Sequence, residues 1–282
     1  MSISIHPLVD ADLVSAARIL SLAFQRSGEW VKELRLHRKI QPDGYIVAKQ
    51  DGVPVGMVGA TVYSDYAYVG LMAVHPANQR QGVGAALMQS LLAWLDQQQV
   101  PLVLLDASPA GQPLYERLGF VAYEKVEIFQ RAGALPDCAC PSRVKPIAGS
   151  DLDLITAPDT RAFGADRSRV LRLLLDAYPD RAFFLPDASG QINGYLFTHG
   201  NRIGPWVMQN GDDAEELLQA ALSLPFTGPI SVTVPGTNIQ AISLLQRYGF
   251  EKIRVNRHMA RGHGAPVGQR GKIYSQTSLS LG

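Results

Sequence analysis

Residues 74–87, Val-His-Pro-Ala-Asn-Gln-Arg-Gln-Gly-Val-Gly-Ala-Ala-Leu, place two glycines and an arginine where an apolar strand gives way to an amphipathic helix. The first N–H groups of a helix lack partners within it, and the macrodipole adds about half a positive charge there. Glycine at positions 82 and 84 removes the Cβ atoms that would hold a phosphate away from those groups. Arg80 can add a charge-assisted contact. The spacing therefore predicts an anion cradle.

Two familiar nucleotide motifs fit this loop badly. A P-loop requires Gly-Lys-Ser/Thr, which is missing, and the dinucleotide fingerprint requires a third glycine or alanine where Leu87 stands. The chain has two cysteines, Cys138 and Cys140, one residue apart in a Pro-rich stretch. Two thiols do not complete a tetrahedral zinc site, and that spacing suits a disulfide poorly, so no metal is expected. A formal charge of +1 over 282 residues gives no electrostatic footprint for nucleic acid or an anionic membrane. The chain shows neither a leader-like pattern at its start nor an apolar run of about 18 residues. A cytoplasmic protein, monomer or homodimer, is expected.

The elements that must position the loop alternate between strand and helix. Strand signals run over Ile3–Ile5, Tyr45–Lys49, Val53–Tyr63 and Tyr66–Val74, with a helix at Leu13–Ala23 before the central hairpin. A long amphipathic helix over about Val83–Gln98 follows, then a strand at Leu102–Leu105, a short helix at Gln112–Leu118 and a strand from Phe120. This order is neither a βαβ ladder nor an all-β barrel; it predicts an α/β (α+β) fold.

The pattern then begins again. His6-Pro7-Leu8 is echoed by Lys145-Pro146-Ile147, Asp51-Gly52-Val53 by Ser189-Gly190-Gln191, and Arg117-Leu118-Gly119-Phe120 by Arg247-Tyr248-Gly249-Phe250. These echoes predict a tandem repeat of a domain of about 135 residues, too long for a solenoid unit. The boundaries expected are 1–132 for the first domain, 133–145 for a linker and 146–282 for the second.

Motif and frame together resemble one family. Val74, Pro76, Gln79, Gly82 and Gly84 match motif A of the GNAT acetyltransferases, and Tyr115-Glu116-Arg117-Leu118-Gly119-Phe120 looks like motif B at the usual distance downstream. The resemblance spans residues 1–131 and, more weakly, 143–282. It implies two GNAT-like domains, each a mixed, mostly antiparallel central sheet flanked by helices. It further implies acetyl-CoA as cosubstrate, with main chain at Met72, Ala73 and Val74 holding the pantetheine and acetyl carbonyl. Gln79, Arg80, Gln81, Gly82, Val83, Gly84 and Ala85 would hold the pyrophosphate, and Tyr115 would act as general acid to the departing thiolate. Without motif A, Tyr115 reads instead as an amphipathic-helix residue packing its ring with its hydroxyl at the surface. Ser108 stands where the family often has Asn, a departure that shortens the reach toward the cofactor.

In the second half Asn238 occupies the asparagine position, Leu245 replaces the tyrosine, and Asp212, Asp213, Glu215 and Glu216 crowd the helix start. Acids there repel a pyrophosphate, so only the first half is expected to bind acetyl-CoA. Phe163-Gly164-Ala165-Asp166-Arg167, with Trp206 and Tyr178, reads equally as a wall of the acceptor pocket and as an ordinary helix entry with a surface ion pair.

The reaction implied is N-acetylation of a primary amine on a small molecule, by direct transfer. Acetylation of a peptide or protein amine and a non-catalytic acyl-CoA sensor are the alternatives. An amine acceptor arrives as ammonium, so a base is required. Glu29 and Asp65 are candidates, each also readable as a solvated surface acid. His75 is expected to lead into the loop, and His199 and His258 to serve hydrogen-bonded structural roles in strands.

Overall fold

The computed structural model describes residues 3–26, 28–133, 141–264 and 267–282. Cys138 and Cys140, and most of the expected linker, lie outside the described residues.

The first half runs β1 (Ile3–Pro7), α1 (Leu13–Phe24), α2 (Trp30–Ile40), β2 (Tyr45–Gln50), β3 (Val53–Val62), β4 (Ala67–Val74), α3 (Val83–Gln97), β5 (Leu102–Ala107), α4 (Gln112–Arg117) and β6 (Val121–Arg131). The second repeats that order: β7 (Lys145–Pro146), α5 (Leu152–Phe163), α6 (Ser168–Ala177), β8 (Ala182–Pro186), β9 (Ile192–His199), β10 (Arg202–Met208), α7 (Ala214–Leu222), β11 (Ile230–Pro235), α8 (Ile239–Arg247) and β12 (Glu251–Gly262). A last strand, β13 (Ile273–Ser275), has no counterpart in the first half. The repeat read from three short echoes is thus a repeat of the whole fold.

All strands join one mixed, mostly antiparallel sheet flanked by helices, in the order β1-β2-β3-β4-β5-β12-β6-β11-β10-β9-β8-β7. The parallel pairs are β4 with β5 and β10 with β11. At the centre the halves exchange strands: β12 pairs with β5 of the first half, while β6 pairs with β11 of the second. The two exchanged strands pair with each other from Glu251↔Gln130 to Ala260↔Val121. Cutting the sequence between 132 and 146 therefore does not separate two closed sheets.

Each helix presents one apolar stripe to this sheet. Val83, Leu87, Met88, Leu91, Leu92 and Leu95 of α3 are buried, against the face that carries Val69, Val103 and Leu105. The other face of the first half receives α1 through Leu13, Ala16, Ile19 and Leu20. A third cluster is shared: Tyr66, Tyr68 and Leu104 pack with Phe163, Leu171 and Leu281. Tyr66 donates to the Phe163 carbonyl at 3.1 Å, and Tyr63 to that of Leu281 at 2.8 Å.

The sequence from Ile273 to Leu281 predicts a last strand over that whole run, but the strand that forms is shorter. Pairing with β10 stops at Ser275; residues 276–281 then cross toward the first half, where Gln276 donates to the Tyr68 hydroxyl at 3.0 Å. Ser280 lies directly over Gly70, where an added Cβ would come within 2.2 Å of the serine Cβ.

Candidate active site

The parallel pairing of β4 and β5 covers only Ala67↔Val103, Tyr68↔Leu104 and Val69↔Leu105. Beyond it the strands part, and among the described residues the segment from Gly70 to Val74 has no strand partner on that side. At the parting point Leu71 adopts φ +53 and the β3–β4 register shifts between Met57 and Gly59. Left-handed backbone at a buried leucine is strained, and the bulge turns Met72, Ala73 and Val74 along the opening.

The loop that follows is set by its own polar groups. His75 accepts from the Ala77 N–H at 3.3 Å, as expected of a residue leading into the loop; Gln79 donates to the Val74 carbonyl and Gln81 to that of Ala77. Arg80 and Gly82 both have positive φ, +62 and +84. A Cβ at Gly82 would meet nothing within 4 Å, so glycine serves there for conformation. At Gly84 a Cβ would come within 3.0 Å of the Met72 side chain, so that glycine lets α3 close on β4. Helical bonding starts at Ala86, which donates to Gly82; among the described residues the N–H groups of Val83, Gly84 and Ala85 have no main-chain acceptor. The loop from Gln79 to Gly82 that leads into these N–H groups is exposed.

Tyr115, on α4, is buried against Phe120 in the same cluster as α3, and burial pushes its hydroxyl up to about 12. Ser108 accepts from the Gly111 N–H at 3.2 Å, capping the turn into α4. Bare Gly111 lets ring and hydroxyl pack together, since its Cβ would stand 3.2 Å from Tyr115 and 3.4 Å from Ser108.

Comparison with known proteins assigns both halves to one family. The acetyltransferase (GNAT) family matches residues 14–120, and an acetyltransferase (GNAT) domain family matches residues 155–275. The chain belongs to the GNAT acetyltransferase family, as a tandem member. The uncharacterized N-acetyltransferase YitH of Bacillus subtilis is 25% identical over 242 residues, 81% of each chain. A proposed acetyltransferase of Pyrococcus horikoshii superposes with a TM-score of 0.87 at 24% identity, over 99% of this chain and 96% of that one. A tandem GNAT protein from the clavulanic acid biosynthesis pathway does so at 0.67 and 16%, over 94% and 99%.

The second GNAT domain has the same opening, and its own chain fills it. Parallel pairing of β10 with β11 covers Arg202↔Ser231 and Ile203↔Val232 only. Beyond that point β13 pairs with β10 at Trp206↔Ser275 and Val207↔Ile273, while Gln276 donates its N–H to Thr233 at 2.8 Å. Asn238 clamps the insert by donating to the Gly271 and Ile273 carbonyls, each at 3.0 Å, and caps α8 by accepting from the Ala241 N–H. The acids at the start of α7 are engaged as well: Arg143 pairs with Asp213 and Glu216, and Glu215 accepts from Tyr248.

The pocket-wall reading of residues 163–167 meets a different arrangement. Asp166 is exposed and accepts from the Ser168 N–H, whereas Arg167 is buried and pairs with Asp159 at 2.8 Å, 8 residues earlier. Tyr195 donates to the same carboxylate. Trp206 belongs to the core under α7 and α8, against Tyr274, while Tyr178 packs near the shared cluster under Lys32.

The two candidate bases and the two strand histidines fall at separate places. Glu29 is exposed beside Lys32, and Asp65 is exposed at the β3–β4 turn. His199 is hydrogen-bonded to the Thr277 carbonyl at 2.9 Å. His258 is also hydrogen-bonded, but its partner is Asp106 of the other half, Nδ1 to carboxylate at 2.7 Å. Sequence reasoning missed Asp106. It follows the apolar run Leu102-Val103-Leu104-Leu105 within β5, and an acid inside an otherwise apolar buried strand is the signal that could have found it.

Proposed function

We propose that residues 1–132 bind acetyl-CoA and transfer its acetyl group directly to a primary amine of a small molecule. The pyrophosphate rests on main-chain N–H groups between Gln79 and Ala85, with Arg80 alongside. The pantetheine lies along Met72, Ala73 and Val74 in the opening of β4 from β5. Tyr115 protonates the departing thiolate, and Ser108 stands at the far wall. Residues 133–145 link this domain to residues 146–282, which keep the fold and no longer take the cofactor.

The observation that carries this reading is the contrast between the two openings. In the first half the strands part beside a loop whose N–H groups at Val83, Gly84 and Ala85 have no main-chain acceptor among the described residues, and beside a buried tyrosine. In the second the same space holds β13, and the cradle is replaced by paired acids. Strand-like pairing of β13 along β10 is the kind of main-chain contact a pantetheine amide would otherwise make.

Acetyl-CoA incubated with a panel of primary amines, followed by thiol release, tests the proposal. Amine-dependent release of coenzyme A is expected. Acetyl-CoA binding with no release for any small amine or peptide would favour the sensor, a reading to which Ser108 in place of asparagine lends some support.

A further inference from the structure

Asp106 and His258 come from opposite halves of the chain, and strand exchange brings them together. Their side chains are 0% and 1% exposed. Asp106 immediately follows Leu105, the last β5 residue paired with β4, so it stands where the strands part. Side chains alternate along a strand. Val103, Leu105 and Ala107 lie in the cluster with α3 and Tyr115, whereas Leu102 and Leu104 lie in the shared cluster on the opposite face. Asp106 shares the parity of Leu104. Tyr68, in the same cluster, donates to Asp106 at 2.6 Å. The opening thus has Tyr115 on one face and the Asp106–His258 pair on the other.

The polar groups around that pair are not satisfied among themselves. His258 Nε2, Gln276 Oε1, Asn256 Oδ1 and Arg270 Nη2 are buried and have no hydrogen-bond partner among the described residues. Gln276 and Asn256 are tied to the pair, the first through the Tyr68 hydroxyl and the second through the Asp106 carbonyl at 3.4 Å. Buried polar atoms without partners cost about 1–3 kcal/mol each and call for a ligand or water. Three of the four, His258 Nε2, Gln276 Oε1 and Asn256 Oδ1, can accept from an ammonium group. The charged and titratable groups facing the pair are Tyr68 on β4, Tyr123 and Glu124 on β6, and Arg270 before β13. Burial would raise the Asp106 carboxyl, but His258 first and then Arg270 and Tyr68 hold it below the usual range. An ionised Asp106 can only accept, which places a proton on His258 Nδ1; in the neutral imidazole the lone pair then sits on Nε2.

We propose that His258, oriented by Asp106, is the general base for the acceptor amine, delivered to the first half's site by strand β12 of the second. This rests on the acetyl transfer proposed above and gives the second half a direct part in it. The ammonium gives one proton to Nε2. The freed lone pair forms the C–N bond at the acetyl carbon, and the C–S bond breaks with its electrons on sulfur. Tyr115 protonates the thiolate and regains a proton from the second amine N–H, while His258 releases its proton to water. One amide, one thiol and one proton result.

Transfer by the full chain to ethylamine, an ammonium at pH 7, and to 2,2,2-trifluoroethylamine, already neutral there, is the test, with His258→Gln and Asp106→Asn alongside wild type. His258→Gln is expected to lower kcat for ethylamine by about 10²–10⁴-fold with the Kd of acetyl-CoA unchanged. With trifluoroethylamine the loss should shrink by about tenfold or more. An equal loss with both amines marks a structural pair and overturns the proposal, as does an ethylamine rate within about threefold of wild type. Nitrogen NMR of labelled histidine reads the pair without turnover. A His258 Nδ1–H tautomer that is lost in Asp106→Asn supports the base; an Nε2–H tautomer in wild type overturns it. Wild type that acetylates neither probe removes the proposed transfer instead, and the tautomer then decides the dyad alone.

Discussion

Tyr115 is surrounded by apolar side chains and held on a short helix, so its hydroxyl stays protonated up to about 12. A tyrosine acid should therefore impose no alkaline fall in kcat below about pH 10. Tyr115→Phe is expected to lower kcat by about 10²-fold and leave the acetyl-CoA Kd unchanged, measured by steady-state thiol release and calorimetry. Two buried histidines act on stability instead. His37 and His199 are each lowered to about 4, by burial first. Between that value and the unfolded 6.5 the unfolded chain binds more protons, so stability rises with pH there. It should be complete above about pH 6.5 and fall toward pH 4, by about 1.4 kcal/mol per pH unit for each histidine, which thermal melts across that range would register. The Asp159–Arg167 pair is buried and shared with Tyr195, so Arg167→Met should destabilise by about 3–5 kcal/mol by leaving a buried carboxylate unpaired, read by denaturant titration. Gly82, Gly84 and Tyr115 were legible because their setting is local. Asp106 with His258, and Asp159 with Arg167, were not: the first pair is separated by 152 residues and the second by 8 across a helix end. Spacing alone favours the neighbouring Asp166, whose exposed carboxylate accepts from the Ser168 N–H instead.

Strands and helices were read nearly to their ends wherever the apolar period was strong, as for α3 and β4. What periodicity could not convey is which edges meet. The bulge at Leu71 that opens β4 from β5 has no sequence signature, since leucine is an unlikely left-handed residue. The strand predicted to continue to Leu281 ends at Ser275 because its hydrogen bonds go elsewhere, to Tyr68 and Tyr63 of the first half. Asn238 was recognised as the family's asparagine position, and the structure shows it holding β13. Asn238→Ala removes two donors to main-chain carbonyls and a helix cap. About 1–3 kcal/mol of stability should be lost, and the acetyl-CoA Kd of the first half should not change, since the residue serves the other opening.

At the scale of the molecule, the exchange of β6 and β12 makes each half incomplete without the other. Residues 1–132 expressed alone lack the strand that covers β5, and an uncovered buried edge invites association. That fragment should be insoluble or self-associated by light scattering, and co-expression with residues 141–282 should recover a one-to-one complex. The tandem order was visible in the sequence; the exchange was not, because both halves carry the same strand and either pairing satisfies the pattern. In the first half β4 and β5 part, and in the second β13 fills the corresponding gap between β10 and β11. Calorimetric titration of the full chain with acetyl-CoA tests that division most directly, alongside Gly82→Asp, which places in the first cradle the kind of charge the second already carries. One molecule bound per chain, with binding lost in the variant, is the result predicted. Two molecules per chain, or binding that survives Gly82→Asp, would contradict it.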